Sequence, residues 1–199
     1  MAALTNVRDP AKVRPDAPSR GELVVGALTE AGGSAAFFER LASRAHEYNP
    51  FNLIAIDAGG LRYLTSEQPG QQELSRGIWS MSNGPLAAVW PKTARLKGLI
   101  ATLLASDHVE PDEVLAVLAD THAPADGELP DTGVGIEWER QLAPIFICSP
   151  KYGTRCSTVV LIGYDGRIRW VERSYDAQGQ VVGQVDLSFD RSRNEEPVP

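Results

Sequence analysis

Cysteine is scarce in this 199-residue chain: Cys148 and Cys156 are its two thiols. That excludes a disulfide framework and a structural zinc site of several thiolates. The three histidines, His46, His108 and His122, lie far apart with no second ligand at helical spacing, so no metal site is expected. Cations are outnumbered, 19 Lys+Arg against 26 Asp+Glu, for a net charge of −7. This excludes a duplex nucleic-acid binder, whose affinity rests on neutralising phosphates. It equally excludes attachment to anionic lipid by basic charge. No window approaches 18 uncharged apolar residues, so no membrane insertion is expected. The start, MAALTNVRDP, has no apolar signal region, and the expected compartment is the cytoplasm. A Gly-rich phosphate loop and a Gly-x-Ser-x-Gly elbow are both missing, and no cofactor is expected.

What is present is ample for a core. Hydrophobic residues make up 43% and charged residues 23%, as in an ordinary globular protein. Arginine outnumbers lysine 15 to 4, a bias typical of a GC-rich bacterial genome. A strand is expected over 2–6 (AALTN), then a Pro-rich loop over 9–18. Ser19 is placed to cap a helix over GELVVGAL, and Gly32-Gly33 to break it. Ser34 is placed to cap a second helix with Phe37, Phe38, Leu41, Ala45 and Tyr48 on one face. Residues 52–57 and 61–65 read as a hairpin around Ala58-Gly59-Gly60, and 77–83 (GIWSMSN) as a further strand. Pro91 opens a helix bearing Leu96, Leu99, Ile100, Leu103 and Leu104, and Pro111 opens another through Leu118. Residues 128–138 are expected to be loop. Residues 144–148, 157–162, 167–173 and 181–189 read as strands separated by hairpin turns. The total is α+β, antiparallel strands with helices inserted in groups. One domain is expected over 1–189, with a flexible tail over 190–199.

Candidate chemistry is sparse. Arg155 beside Cys156 could lower its thiol pKa, against the plainer reading of an inert cysteine opening a buried strand. Cys148 and Cys156 flank one hairpin and could face each other. Glu137 and Glu139 would share a face if extended, or else be solvated or pair with Arg140. Polar groups in apolar strands say more. Asn6 and Arg8 end the first strand, Asn83 follows the strand carrying Trp79, and Thr154-Arg155 lead into STVVLIG. Amides at strand ends suit an oxyanion, and guanidinium suits a carboxylate or phosphate; for Asn83-Gly84 the alternative is plain turn chemistry.

The stretches AALTNVRDP, PSRGELV, NPFNLIAIDAGGLRYLTS, GIWSMSNGPLAAVWPKTARLK and LPDTGVGIEWERQLAPIFICSPKYGTRCSTVVLIGYDGRIRWVERSYDAQG occur in that order. Together they resemble the NRDE-motif family, also called the transport and Golgi organisation protein 2 family. The resemblance implies an N-terminal-nucleophile-hydrolase-like fold, a four-layer αββα sandwich of antiparallel sheets. Family members typically begin Met-Cys, the cysteine being the nucleophile, and carry an Asn-Arg-Asp-Glu motif. Here position 2 is Ala2 and no such tetrapeptide occurs, so the family's first section is expected to be missing. Carried over, Asn6, Asn83 and Arg155 become catalytic candidates. We assign Arg8, Trp79 and Thr154 to ligand binding, and Asp131, Glu139 and Arg140 to a structural signature. The implied activity is amidohydrolase-like in a full-length form and absent from the chain as it stands. The alternative is a carrier of haem, lipid or another hydrophobic metabolite. The expected partner is an unidentified small molecule.

Overall fold

The structure is a computed structural model that describes residues 1–68, 70–106 and 108–190. Apart from Asp190, the expected tail lies outside the described residues. The chain forms two compact units, one comprising Met1–Ala94 with Gly127–Glu139, the other Arg95–Asp126 with the chain from Arg140 onward.

The first unit is built on a four-stranded antiparallel sheet in the order β1-β2-β3-β4. Its strands are β1 (Ala2–Asn6), β2 (Phe51–Asp57), β3 (Gly60–Thr65) and β4 (Gln71–Leu74). Alternation in β2 sends Phe51, Leu53 and Ala55 to one face and Asn52 to the other. The apolar face packs on α1 (Gly21–Thr29) and α2 (Gly33–Arg44), closing a core of Leu23, Ala27, Phe38, Leu41, Ala45 and Leu64. Gly26 lets the helices meet, since a Cβ there would lie 2.3 Å from the Phe37 ring.

The two caps differ from the sequence reading. The Ser19 hydroxyl accepts the Gly21 N–H at 3.3 Å, but Arg20 occupies the cap position of α1. Helix α2 begins at Gly33 (φ +75°), and its capping oxygen comes from the end of β2. Asp57 Oδ2 accepts both the Ser34 N–H (3.1 Å) and the Ser34 hydroxyl (2.5 Å). Its Oδ1 accepts the Gly59 N–H (2.8 Å) and a guanidinium N–H of Arg62 (3.2 Å). The Ser34 hydroxyl bond is the largest of the influences holding the Asp57 carboxyl down at about 2.

Residues 77–83 are not a strand. Carbonyls of this stretch are taken by side chains and by the chain after β1, which leaves no ladder. Thr5 Oγ1 donates to Ser82 O (2.8 Å), and the Arg8 N–H to Asn83 O (2.6 Å). The sheet's fourth strand is instead the polar QQEL of β4, which carries no alternation of apolar residues.

In the second unit, β5 (Cys156–Ile162), β6 (Arg167–Tyr175) and β7 (Val181–Asp190) form an antiparallel sheet. Val159 and Val171 pack with Leu115 of α4 (Pro111–Leu118). A reciprocal capping box of Glu110 and Glu113 opens that helix. Asp112 pairs with Arg173 (2.8 Å) and Glu110 with Arg169 (3.2 Å), tying the helix start to β6. Helix α3 (Pro91–Leu103) starts in the first unit and continues into the second. Helix α5 (Ile136–Leu142) begins inside the expected 128–138 loop. Of the strand expected over 144–148, a single bridge from Cys148 to Gly153 is formed. Both cysteines are free and exposed, so Cys156 opens β5 without being buried. No helix among the described residues is long and apolar enough to cross a membrane.

The depressed Asp57 carboxyl predicts a pH dependence. Its folded pKa lies below the unfolded value of about 3.9, so its contribution is complete above pH ~4 and is lost as pH falls towards 2. Urea midpoints between pH 5 and 2 should fall less steeply in Asp57→Asn than in the parent. Parallel profiles would show that the acid contributes nothing.

Candidate functional site

The site grows from Asn52, which is 0% exposed on the sheet face opposite the helices. Register places it between Thr5 and Thr65. A buried amide must find partners for both its donors and its oxygen. The Asn52 amide nitrogen donates to Thr5 Oγ1 (3.1 Å) and to the carbonyls of Gly84 (2.9 Å) and Ser82 (3.4 Å). Its oxygen accepts the Tyr63 hydroxyl (2.8 Å), and the Tyr63 oxygen accepts the Leu86 N–H (3.1 Å). Side chains from three strands thereby hold the irregular stretch 82–86 in place.

That stretch in turn holds the chain after β1. Asn83 accepts the Arg8 N–H at its carbonyl, and its side-chain amide donates to Asn6 O (2.9 Å). Arg8 Nη1 donates to Glu139 Oε2 at 2.6 Å, a pair with side chains 11% and 3% exposed. The guanidinium lies over the Trp90 ring, 4.9 Å from its centroid. Glu139 Oε1 accepts the Thr132 N–H (2.8 Å) and hydroxyl (2.5 Å). Asp131 Oδ1 accepts the Gly133 N–H (3.1 Å), closing a turn that Gly133 completes at φ +82°.

These groups wall an open basin of about 550 Å³, lined among others by Arg8, Asp9, Asn83, Trp90 and Thr132. On its rim Lys12 joins Glu67 (2.6 Å) to Asp9 (3.2 Å). Lys92, two residues beyond Trp90, is half-buried. Burial first, and then the charge of Arg8, bring its amine down to about 8, with Glu139 pulling the other way.

Of the sequence-predicted residues, Asn6, Arg8, Asn83, Asp131 and Glu139 are brought together in the first unit. Trp79 is not at the basin. It is 45% exposed, donates its indole N–H to Ser75 O (2.9 Å), and lines a smaller cavity of about 160 Å³ beside Tyr63 and Leu86. Thr154 and Arg155 belong to the second unit. There the Thr154 hydroxyl accepts the Ile147 N–H (3.0 Å), and Arg155 is exposed. Glu139 pairs with Arg8, and Arg140 pairs with Asp126 (2.7 Å). In the helix Glu137 and Glu139, two residues apart, point to different faces, unlike the shared face an extended stretch would give.

The sequence reading missed Asn52, Tyr63 and Trp90. Asn52 had a usable signal, being the one amide within the apolar run FNLIAI.

An α+β chain with a buried amide network beneath a charged, aromatic-walled basin has the parts of a small-molecule site. The model of the family described as Transport and Golgi organisation 2 matches residues 1–177, and the chain belongs to that family. It is similar to the mouse Transport and Golgi organization 2 homolog, 30% identical over 188 residues, covering 87% of this chain and 68% of the relative. The bovine homolog is 32% identical over 190 residues and the human one 31% over 188, with the same coverage of each chain.

Two stability predictions follow from the geometry. Asn52→Ala strands the Tyr63 hydroxyl and the Gly84 carbonyl in a buried place, and should cost about 2–4 kcal/mol. Urea unfolding should show a lower midpoint at unchanged slope, whereas a loss under about 0.5 kcal/mol would mean that the network relaxes. Glu139→Ala removes the carboxylate that pairs with the nearly buried Arg8, and should cost about 3–5 kcal/mol. Adding Arg8→Ala should then cost much less than the two single changes summed. Additive losses in that cycle would refute the coupling.

Proposed function

We propose that this protein is a small-molecule-binding member of its family and that the basin beside Arg8, Asn83 and Trp90 is the binding site. The observation that carries this reading is preorganisation. Each polar wall group is already fixed by a protein partner, so a ligand meets a rigid surface and little ordering cost. A volume of about 550 Å³ suits a ligand of metabolite size.

An amidohydrolase reading has some support. The order of motifs agrees with the N-terminal-nucleophile-like resemblance, and each unit sets helices against an antiparallel sheet, as an αββα sandwich requires. In that reading Asn6, Asn83 and Arg155 would serve catalysis. The basin favours binding over hydrolysis for a chemical reason. One N–H of the Asn83 amide is engaged by Asn6 O, and the Thr132 hydroxyl donates to Glu139 rather than standing ready to attack. A haem, lipid or other hydrophobic cargo fits the charged basin less well than a polar molecule does.

Ligand-observed NMR with a library of small carboxylic acids, amides and carbonyl compounds tests this. At least one class should bind the parent, and Trp90→Phe should weaken it by about tenfold by thinning the aromatic wall. Binding that is indifferent to Trp90→Phe would place the ligand elsewhere. Steady release of nitroaniline from acyl-nitroanilide substrates would favour the hydrolase.

A further inference from the structure

We propose that the outer edge of β7 is a dimerisation surface, on which a second copy of this chain lays its own β7 antiparallel about a two-fold axis through Leu187. This is independent of what the basin binds.

Strand β7 ends the order β5-β6-β7, and all ten of its residues are exposed. Among the described residues no strand pairs with its outer edge, and its backbone makes no hydrogen bond outside the ladder. A long open edge is a template for another strand, and natural edges are commonly guarded by lysine, proline or shortness. Strand β7 has neither lysine nor proline. Its central acid is neutralised within the sheet: Asp186 accepts two bonds from Arg169 (3.2 and 2.9 Å). Gln184 accepts one from Arg173 (2.9 Å).

The two faces of β7 differ. Gln184, Asp186 and Ser188 share the face of Val171, which packs on Leu115 of α4. Val185, Leu187 and Phe189 lie on the opposite face, each about half exposed. Register sets Leu187 beside Trp170 and Phe189 beside Ile168, so an apolar row runs out to the open edge. A second copy continues that row.

Charge and register select the second copy as occupant. A two-fold axis through one residue sets that residue against its own copy and crosses its neighbours. An axis through Asp186 opposes Asp186 to itself, and one through Ser188 opposes Asp186 to Asp190. Like charges directly opposite are destabilising. Axes through Gln184 or Val185 carry the partner into the register shift at Val181–Gly183. An axis through Leu187 opposes Leu187 to itself, Val185 to Phe189, Asp186 to Ser188 and Gln184 to Asp190. No like charges meet, and the apolar residues face one another in a six-stranded sheet.

Sedimentation velocity on the whole chain tests this between about 1 and 100 µM, the range suited to a small edge-to-edge interface. The parent should pass reversibly from monomer to dimer. Leu187→Lys, which sets two ammonium groups together on the axis and removes the apolar contact, should weaken association by about tenfold or more. Its urea midpoint at low concentration should match the parent's, because Leu187 is a surface residue. Register is read by Leu187→Cys in a chain also carrying Cys148→Ser and Cys156→Ser. Opposed residues of an antiparallel pair lie about 4.5–5.5 Å apart at Cα, within reach of a disulfide. Mild oxidation should then give a covalent dimer faster than Tyr164→Cys does in the same background, Tyr164 being an exposed position in the β5–β6 turn. A parent that stays monomeric throughout the range overturns the proposal. A dimer that Leu187→Lys leaves intact also overturns it, because the interface then lies on another face. Cross-linking through Leu187→Cys no faster than through Tyr164→Cys overturns the antiparallel pairing about Leu187.

Discussion

The buried amide of Asn52 is the constraint on which the site depends. A residue with two donors and an acceptor, fully enclosed on a sheet face, is tolerable where its bonds are all made. Here the partners come from β1, from β3 and from the irregular stretch 82–86. The requirement works in both directions. Asn52 is satisfied because that stretch stays off the ladder with its carbonyls turned inward, and the stretch stays off the ladder because Asn52, Thr5 and Tyr63 occupy its polar groups. A regular strand over 77–83 would have taken those carbonyls for pairing and left the amide stranded. The irregularity also brings Asn83 against Asn6 and the Arg8 backbone, and so sets one wall of the basin.

The second constraint is electrostatic. Arg8 and Glu139 are both nearly sealed from water, which carries a desolvation cost that their mutual attraction alone need not repay. The surrounding bonds close the difference. Glu139 accepts from Arg8 and twice from Thr132, and Arg8 has the Trp90 face to lie on. Near this pair, burial first and then the charge of Arg8 lower the Lys92 amine to about 8, against the pull of Glu139.

Much of the fold was legible because periodicity carries it. The β2–β3 hairpin, the helix opened by Pro91 and the β5–β7 meander all have apolar patterns or turn residues that encode them locally. The failures have physical causes. Residues 77–83 alternate like a strand, yet the Thr5 hydroxyl and the Arg8 N–H take the carbonyls of Ser82 and Asn83. Strand β4 is a polar edge strand, with neither face of it needing an apolar row. At the site, Asn6, Arg8 and Asn83 were visible as polar groups ending or following apolar runs. Arg155 and Thr154 drew attention for the same reason, but within the second unit Thr154 supports the turn before β5. The pairing of Arg8 with Glu139 spans 131 residues, and no local pattern signals a contact of that range. Arg140, the neighbour of Glu139 in the chain, pairs with Asp126.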